Sequence, residues 1–374
     1  MNGIDTVVIL GTGATIGSSY TKKGHSLPGD RGFFGSPQVH DLLPKYCALY
    51  VMLQFFCRGY SGDLKDLSLE EVWSFLKFCS PNTVYSSSYD FREEKERWLN
   101  QIRSPGSERD DEHYLCRKFR QDRTIPPQWN DIDMSLLGGW DLRCLVSEVY
   151  RAAQPSSEVN NYKKLMCKYE IRPDASTVFV SLNYDFVLEH ALEQFLPSGW
   201  YYPHVQTQVE RPAGGVRVLK PHGSLNWLFR GNAPTVEIGT DYRLDSVPNE
   251  NFEDNRFKQA MVIEPTQVKE ALNVRETQAQ KTTELFANIW RCMFDALARA
   301  EIVFIIGYSF PSTDHHFRTL LRLANQRKQK VYEKVYCCTK TDSQVKHVFA
   351  EAERFFPCIN KLCRHDEGFE AFVR

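Results

Sequence analysis

Four short polar clusters in this chain combine residue types that can do chemistry with the turn residues that would expose them. The first is Gly11-Thr12-Gly13-Ala14-Thr15. Its glycines permit close backbone approach, and the amides that open a following helix can hydrogen-bond a pyrophosphate. A glycine turn kept for packing alone is the plainer account. Ile16 stands where the third glycine of GxGxxG belongs, Gly17 comes one place later, and a Walker lysine is missing, which argues against ATP hydrolysis by this loop. The second cluster is Ser181-Leu182-Asn183-Tyr184-Asp185. Asn183 offers a carboxamide suited to a ribose hydroxyl or an attacking water, whereas Asp185 is also well placed to cap a following helix. The third is Lys220-Pro221-His222-Gly223-Ser224-Leu225-Asn226-Trp227. Of ten histidines, His222 is the one flanked by Pro and Gly in a site-like turn, and imidazole is the side chain best suited to general-base work near neutral pH. The fourth is Gly307-Tyr308-Ser309-Phe310-Pro311-Ser312-Thr313-Asp314. Gly307 and Ser309 fit a loop whose amide and hydroxyl touch a phosphate or ribose; helix capping by Ser312 or Asp314 is the bland alternative.

Each cluster follows a short apolar run of the kind that forms a buried strand. Thr6 to Leu10 is apolar and β-branched and feeds the first glycine turn directly. Further strands are predicted at Thr177 to Leu182, Val216 to Leu219, Met261 to Ile263, Ile302 to Ile306 and Val331 to Cys337. A helix from about Lys281 to Arg299 carries a stripe of Phe286, Ile289, Trp290, Met293, Phe294 and Leu297. Strand and helix in alternation predict an α/β fold with a doubly wound parallel sheet, which binds ligands at the carboxyl ends of its strands near the point where strand order reverses. From Gln38 to Arg172 the pattern changes. Leu42, Leu43, Tyr46, Leu49 and Tyr50, then Val72, Phe75, Leu76 and Cys79, recur at three- and four-residue spacings and predict a large, mostly helical insertion. Within it, Ala48 to Cys57 reads as a buried helix, and the charged blocks Arg92 to Arg97 and Glu108 to Arg123 read as solvated faces. The loop from Ser18 to Pro37, rich in Gly, Pro and Ser and ending near Phe33 and Phe34, is placed to close over a ligand.

Composition narrows the function classes. At roughly 150 residues per domain, 374 residues allow one large domain with an insertion, or two domains. With 42% hydrophobic and 25% charged residues, a folded globular chain is expected and disorder is not. Lys+Arg 46 against Asp+Glu 47 gives a net charge of −1, so whole-chain electrostatics offers no argument for nucleic acid or membrane binding. Residues 318–374 hold 12 Lys+Arg against 7 Asp+Glu, a local +5 that usually marks a solvated helix face. No apolar run approaches the ~18 residues of a spanning helix, and Val7 to Leu10 is too short for a signal peptide. A soluble, cytoplasmic protein is expected. Eleven cysteines without a single CxxC spacing point to free thiols rather than a disulfide framework or a zinc ribbon, and no metal is expected.

Taken together and in this order, the four clusters resemble the sirtuin-like (silent information regulator two) domain, in the divergent bacterial branch of NAD-consuming anti-phage effectors. The resemblance covers the first 36 residues and about 176–317. It implies a Rossmann-like NAD-binding domain in two parts, 1–37 and 173–374, interrupted by the helical insertion 38–172. It implies that Gly11, Thr12, Gly13, Ala14 and Thr15 stand for the family's GAG-x-S phosphate loop, with Thr12 and Thr15 as departures. Asn183 and Asp185 match N-x-D, where the asparagine positions ribose or water and the aspartate meets the nicotinamide amide. His222 with Gly223 matches HG, the histidine acting as base on the nicotinamide ribose. Gly307 and Ser309 match the G-x-S that holds the adenosine side. Pro28 and the phenylalanines after it resemble the flexible cofactor loop. Ile263-Glu264-Pro265-Thr266 and Lys269 match weakly and receive no role.

Protein-deacylating members carry a small domain on a four-cysteine zinc site, which this chain lacks. Keeping the nicotinamide-ribose chemistry without the acyl acceptor leaves water as the nucleophile. The expectation is therefore an NAD glycohydrolase with His222, Asn183 and Asp185 catalytic, NAD as substrate and no metal. A protein deacylase and a non-catalytic NAD or ADP-ribose sensor remain alternatives, and direct nucleic acid binding is not expected. Because free NAD hydrolysis is toxic, the resemblance further implies a homo-oligomer held off by a partner such as a HerA-type ATPase or a short Argonaute.

Overall fold

Thr6–Leu10 (β1) is buried along its whole length, as an apolar, β-branched strand in the middle of a parallel sheet must be. The computed structural model describes residues 6–18, 28–29, 32–58, 63–79, 93, 96–97, 100, 134–152, 160–196, 198–207, 214–230, 233–236, 260–262, 276–312, 314–328, 330–340, 345–360 and 362–374. Most of the loop between Ser18 and Pro37, the block Glu108 to Arg123, half of Arg92 to Arg97, and Ile263-Glu264-Pro265-Thr266 with Lys269 lie outside the described residues.

The strands are β1, β2 (Thr177–Ser181), β3 (Trp200–Tyr201), β4 (Gln206–Thr207), β5 (Val216–Leu219), β6 (Gly223–Arg230), β7 (Ala233–Val236), β8 (Ala260–Val262), β9 (Ile302–Ile306), β10 (Lys334–Cys338) and β11 (Cys363–His365). Seven of them form one sheet in the order β11-β10-β9-β1-β2-β5-β3, and every pairing in it is parallel. The chain runs from β1 to β2, out to the edge strand β3 and back to β5 between them, then crosses to β9 and continues the other way through β10 and β11. Strand order therefore reverses between β1 and β9, the place where a doubly wound sheet opens a crevice. This is the Rossmann-like α/β architecture that the alternation predicts. A second sheet, β4-β7-β6-β8, was not predicted.

The helices are α1 (Thr12–Ile16), α2 (Pro37–Leu42), α3 (Cys47–Arg58), α4 (Leu69–Phe78), α5 (Met134–Ala152), α6 (Asn161–Lys168), α7 (Val187–Glu193), α8 (Glu276–Arg299), α9 (His315–Arg327), α10 (Val345–Phe355) and α11 (Phe369–Val373). The stripe on α8 behaves as its spacing predicts: Phe286, Ile289, Met293 and Leu297 are buried, while Trp290 and Phe294 pack partly buried beside them. The helix itself begins earlier than the apolar pattern, at Glu276. A capping box starts α4, with the Ser68 amide donating to Glu71 and the Glu71 amide to the Ser68 hydroxyl. Among the described residues no helix is long and apolar enough to cross a membrane.

Two apolar cores result. One surrounds the seven-stranded sheet; the other joins α2, α3, α4 and α5. Phe33 and Phe34 lie in the helical core, ring edge to ring face at 5.2 Å, instead of standing free over a ligand. Helix α6 packs the other way. Its Tyr162, Leu165 and Met166 belong to the sheet core, so residues that sequence periodicity groups with the insertion lie against the sheet. Phe186 and Leu225 cross in the opposite sense into the helical core, which places the second and third polar clusters at the seam between the two cores.

Candidate functional site

The β1 turn and the end of β9 are packed backbone to backbone. The Gly11 amide donates to the Ile306 carbonyl at 3.0 Å and the Gly13 amide to the Gly307 carbonyl at 3.0 Å. Gly307 has φ +62, and a Cβ on it would lie 2.2 Å from the Ala14 nitrogen. Cβ atoms on Gly11 and Gly13 would meet Gly307 in return, at 2.5 and 2.8 Å. These glycines are thus required for close approach of two strand ends, and the amides of Gly11, Gly13 and Ala14 are bonded to protein carbonyls. Thr12, in the first turn of α1, is half-buried, and Pro28-Gly29 comes back over it: a Cβ on Gly29 would lie 3.8 Å from the Thr12 methyl.

Thr15 connects this turn to the end of β2. Asn183 Nδ2 donates to the Gly11 carbonyl and to Thr15 Oγ1, each at 2.9 Å. Thr15 Oγ1 donates onward to Asp185 Oδ2 at 3.0 Å. Asp185 Oδ1 accepts from the Val187 amide at 3.0 Å, so Asp185 does serve the start of α7 while also holding Thr15. Its carboxyl is buried, and burial pushes its pKa up, with the positive charge of Lys220 acting in the opposite direction.

The segment 220–225 is laced to the loop after β2 through the Leu182, Tyr184 and Asp185 carbonyls. His222 Nδ1 lies 3.2 Å from the Leu182 carbonyl oxygen. The Leu225 amide and the Ser224 hydroxyl both donate to the Tyr184 carbonyl, at 3.0 and 3.2 Å. Lys220 Nζ donates to the Asp185 carbonyl and pairs with Glu189 at 3.1 Å, both side chains being essentially inaccessible to solvent. Sequence reading places His222, between Pro221 and Gly223, in a site-like turn and predicts no strand directly after it. The structure makes a turn only as far as Gly223, at φ +80, and then an antiparallel strand with a bulge between Ser224 and Leu228. Leu225 and Trp227, which a regular strand would point to one side, accordingly join different cores.

In the fourth cluster, Gly307 at φ +62 and Phe310 at φ +52 bend the chain sharply. Tyr308 and Phe310 are buried while Ser309, between them, is exposed. The Arg318 guanidinium supports the bend by donating to the Phe310 carbonyl at 3.0 Å. Asp314 stands at the N-cap position of α9 but makes no side-chain capping bond. It faces His222 instead, with Oδ1 3.8 Å from Nε2, and its Oδ2 accepts from the Tyr308 hydroxyl at 2.9 Å. The residues missed from the sequence are therefore Asp314, Tyr308 and the Lys220–Glu189 pair. Asp314 was read only as a helix cap, Tyr308 and Lys220 stood in the quoted clusters without a role, and no local spacing singles out Glu189.

All four clusters thus lie at carboxyl-terminal strand ends, and β1 sits between the other contributors. Asn183, Asp185, Gly11 and Thr15 are bonded into one network; His222 is tied to it through Leu182, and Gly307 through Gly13. Residues 177–358 match the SIR2-like domain. That match includes Asn183, Asp185, His222, Gly307 and Ser309, and stops short of Gly11–Thr15, which β1 brings in by pairing with β2 and β9. A SIR2-like domain implies NAD binding. A search of curated proteins finds no match to the chain. Among the described residues, no group of three or more His, Cys, Asp or Glu could hold a metal ion, and the ten described cysteines are free thiols.

Proposed function

We propose that this chain hydrolyses NAD to nicotinamide and ADP-ribose. The observation that carries the reading is the placement of Asn183, His222 and Ser309, from three separate segments of the stretch that matches a SIR2-like domain, around the reversal point of a parallel sheet. In this reading the diphosphate lies against Gly11–Thr15, the adenosine side meets Gly307 and Ser309, and the nicotinamide ribose points toward Asn183 and His222. Both Nδ2 bonds of Asn183 are made within the protein, so its Oδ1 is the atom that orients the water. Each oxygen of Asp185 has accepted one bond and retains a second lone pair for the nicotinamide amide.

The C1′–N1 bond of NAD breaks, nicotinamide leaves with the bonding pair, and oxocarbenium-like charge develops at C1′. Water adds to C1′ and its proton passes to His222. The chain has no CxxC with which to build the zinc-bound domain of the deacylating relatives, which supports water as the acceptor. Unregulated turnover would drain the NAD pool. A cytoplasmic anti-phage effector, self-assembled and held off by a HerA-type ATPase or short Argonaute until infection, is the role we infer for it.

The test is release of nicotinamide and ADP-ribose from NAD by the purified chain, alone and with lysate from infected bacteria. His222→Ala and Asn183→Ala should each lower turnover at least ~10²-fold with an unchanged circular dichroism spectrum. Full activity in either variant removes that residue from the mechanism. Tight NAD binding with no turnover under any condition replaces hydrolysis by sensing.

A further inference from the structure

His222 is held at Nδ1 and faced by a carboxylate at Nε2. The Leu182 carbonyl oxygen near Nδ1 can only accept, so the ring carries a proton on Nδ1 and, when neutral, presents a lone pair at Nε2. Nε2 faces Asp314 Oδ1 at 3.8 Å. Asp314 is buried, and the Tyr308 hydroxyl fixes its second oxygen. Burial and that neighbouring carboxylate hold the Tyr308 phenol well above its ordinary range, which keeps it a donor. The rings of Tyr184 and Trp290 flank the imidazole, each with its centroid 6.4 Å away, and His316 lies beyond Trp290. Asp314 occupies a helix N-cap and leaves its capping function unused.

We propose that Asp314, oriented by Tyr308, is the positioning residue for His222 and stabilises the imidazolium that forms when Nε2 takes the proton of the attacking water. The proposal rests on the NAD-hydrolysis reading. As the C1′–N1 bond breaks and nicotinamide leaves with the electron pair, the water oxygen bonds to C1′ and its proton moves to Nε2; the resulting positive ring faces the Asp314 carboxylate. A separation of 3.8 Å exceeds a direct hydrogen bond. The resting ring is therefore not locked onto the carboxylate, and the attraction grows only as charge develops, which is the condition for lowering a barrier instead of tightening ground-state binding.

Asp314→Asn preserves shape and removes the charge; Tyr308→Phe preserves the ring and removes the donor. With NAD as substrate, kcat should fall about 10²–10³-fold in Asp314→Asn and about tenfold in Tyr308→Phe, with KM within about threefold of wild type in both. Unchanged kcat in Asp314→Asn, or a rise in KM with kcat intact, overturns the proposal. A second readout does not depend on turnover. The ring 15N resonances of His222, identified by their loss in His222→Gln, should move at Nε2 in Asp314→Asn, and an unmoved Nε2 resonance overturns the proposal whatever the kinetics. Absence of NAD turnover in wild type overturns the hydrolysis reading instead, and the Nε2 resonance then decides the Asp314 contact by itself.

Discussion

Lys220 lies fully out of solvent, with its ammonium between the Glu189 carboxylate at 3.1 Å and the main-chain carbonyl of Asp185. Glu189 in turn accepts from the Tyr202 hydroxyl at 2.7 Å, which receives a bond from Asn226 at 3.4 Å. Lys220→Met keeps the unbranched apolar stem and deletes the charge. It strands a buried carboxylate and leaves the Asp185 carbonyl without its donor, at the residue that orders Thr15 and the start of α7. Removing one partner of a buried ion pair costs about 3–5 kcal/mol, and an orphaned buried acceptor about 1–3 kcal/mol. The two overlap, and a loss of roughly 4 kcal/mol is expected, a large share of the ~5–15 kcal/mol that a folded protein has in reserve. Glu189→Gln alone should cost a similar amount by leaving the ammonium uncompensated. The double variant Lys220→Met/Glu189→Gln restores neutrality and should lie within about 2 kcal/mol of wild type, giving a coupling energy of several kcal/mol. Urea unfolding followed by tryptophan fluorescence reads this directly. With a slope of about 3 kcal/mol/M, the single variants should lose about 1.3 M in midpoint. A Lys220→Met midpoint within ~0.3 M of wild type, or a double variant no more stable than either single, refutes the reasoning.

Gly307→Ala should cost about 3 kcal/mol or more and abolish NAD binding, because the new Cβ would lie 2.2 Å from backbone at a left-handed φ of +62; thermal unfolding and NAD titration check both. Ser309→Ala changes an exposed hydroxyl and should leave stability within ~0.5 kcal/mol while weakening NAD binding about tenfold; unchanged affinity removes Ser309 from the adenosine side. Asp141, on α5, accepts from the Ala48 and Leu49 amides that open α3, and burial pushes its carboxyl up to about 7. Against an unfolded value of about 3.9, the folded chain holds this proton more tightly. Stability from this group is therefore fully present below about pH 4 and declines as pH rises to about 7, by up to ~4 kcal/mol. Asp141→Asn should be the more stable protein above pH 7, with the gap closing as pH falls to 4; a gap independent of pH contradicts this origin.

What was legible in the sequence is what burial writes locally. A strand covered on both faces must be a continuous apolar run, and Thr6–Leu10 and Ile302–Ile306 were found at their observed limits for that reason; Val216–Leu219 was found at its limits too, although Arg217 interrupts its apolar run. The stripe on α8 and the three- and four-residue spacing through α3 and α4 are equally local. Asn183, His222, Gly307 and Ser309 stood out because each follows such a run with a turn residue beside it. Short strands such as β3, β4 and β11 have too few residues to show a period, and β6 was hidden by its opening Gly223 turn and its bulge. Tertiary structure alone decided that strand order reverses between β1 and β9, that glycines at 11, 13 and 307 pack on one another, and that Phe33 and Phe34 enter the helical core. It also decided that Asp314 turns from its helix to His222 and that Lys220 meets Glu189. These meetings depend on the order and register of parallel strands joined by long crossovers. Periodicity along one segment reports which of its faces is buried, and carries no record of which distant segment buries it.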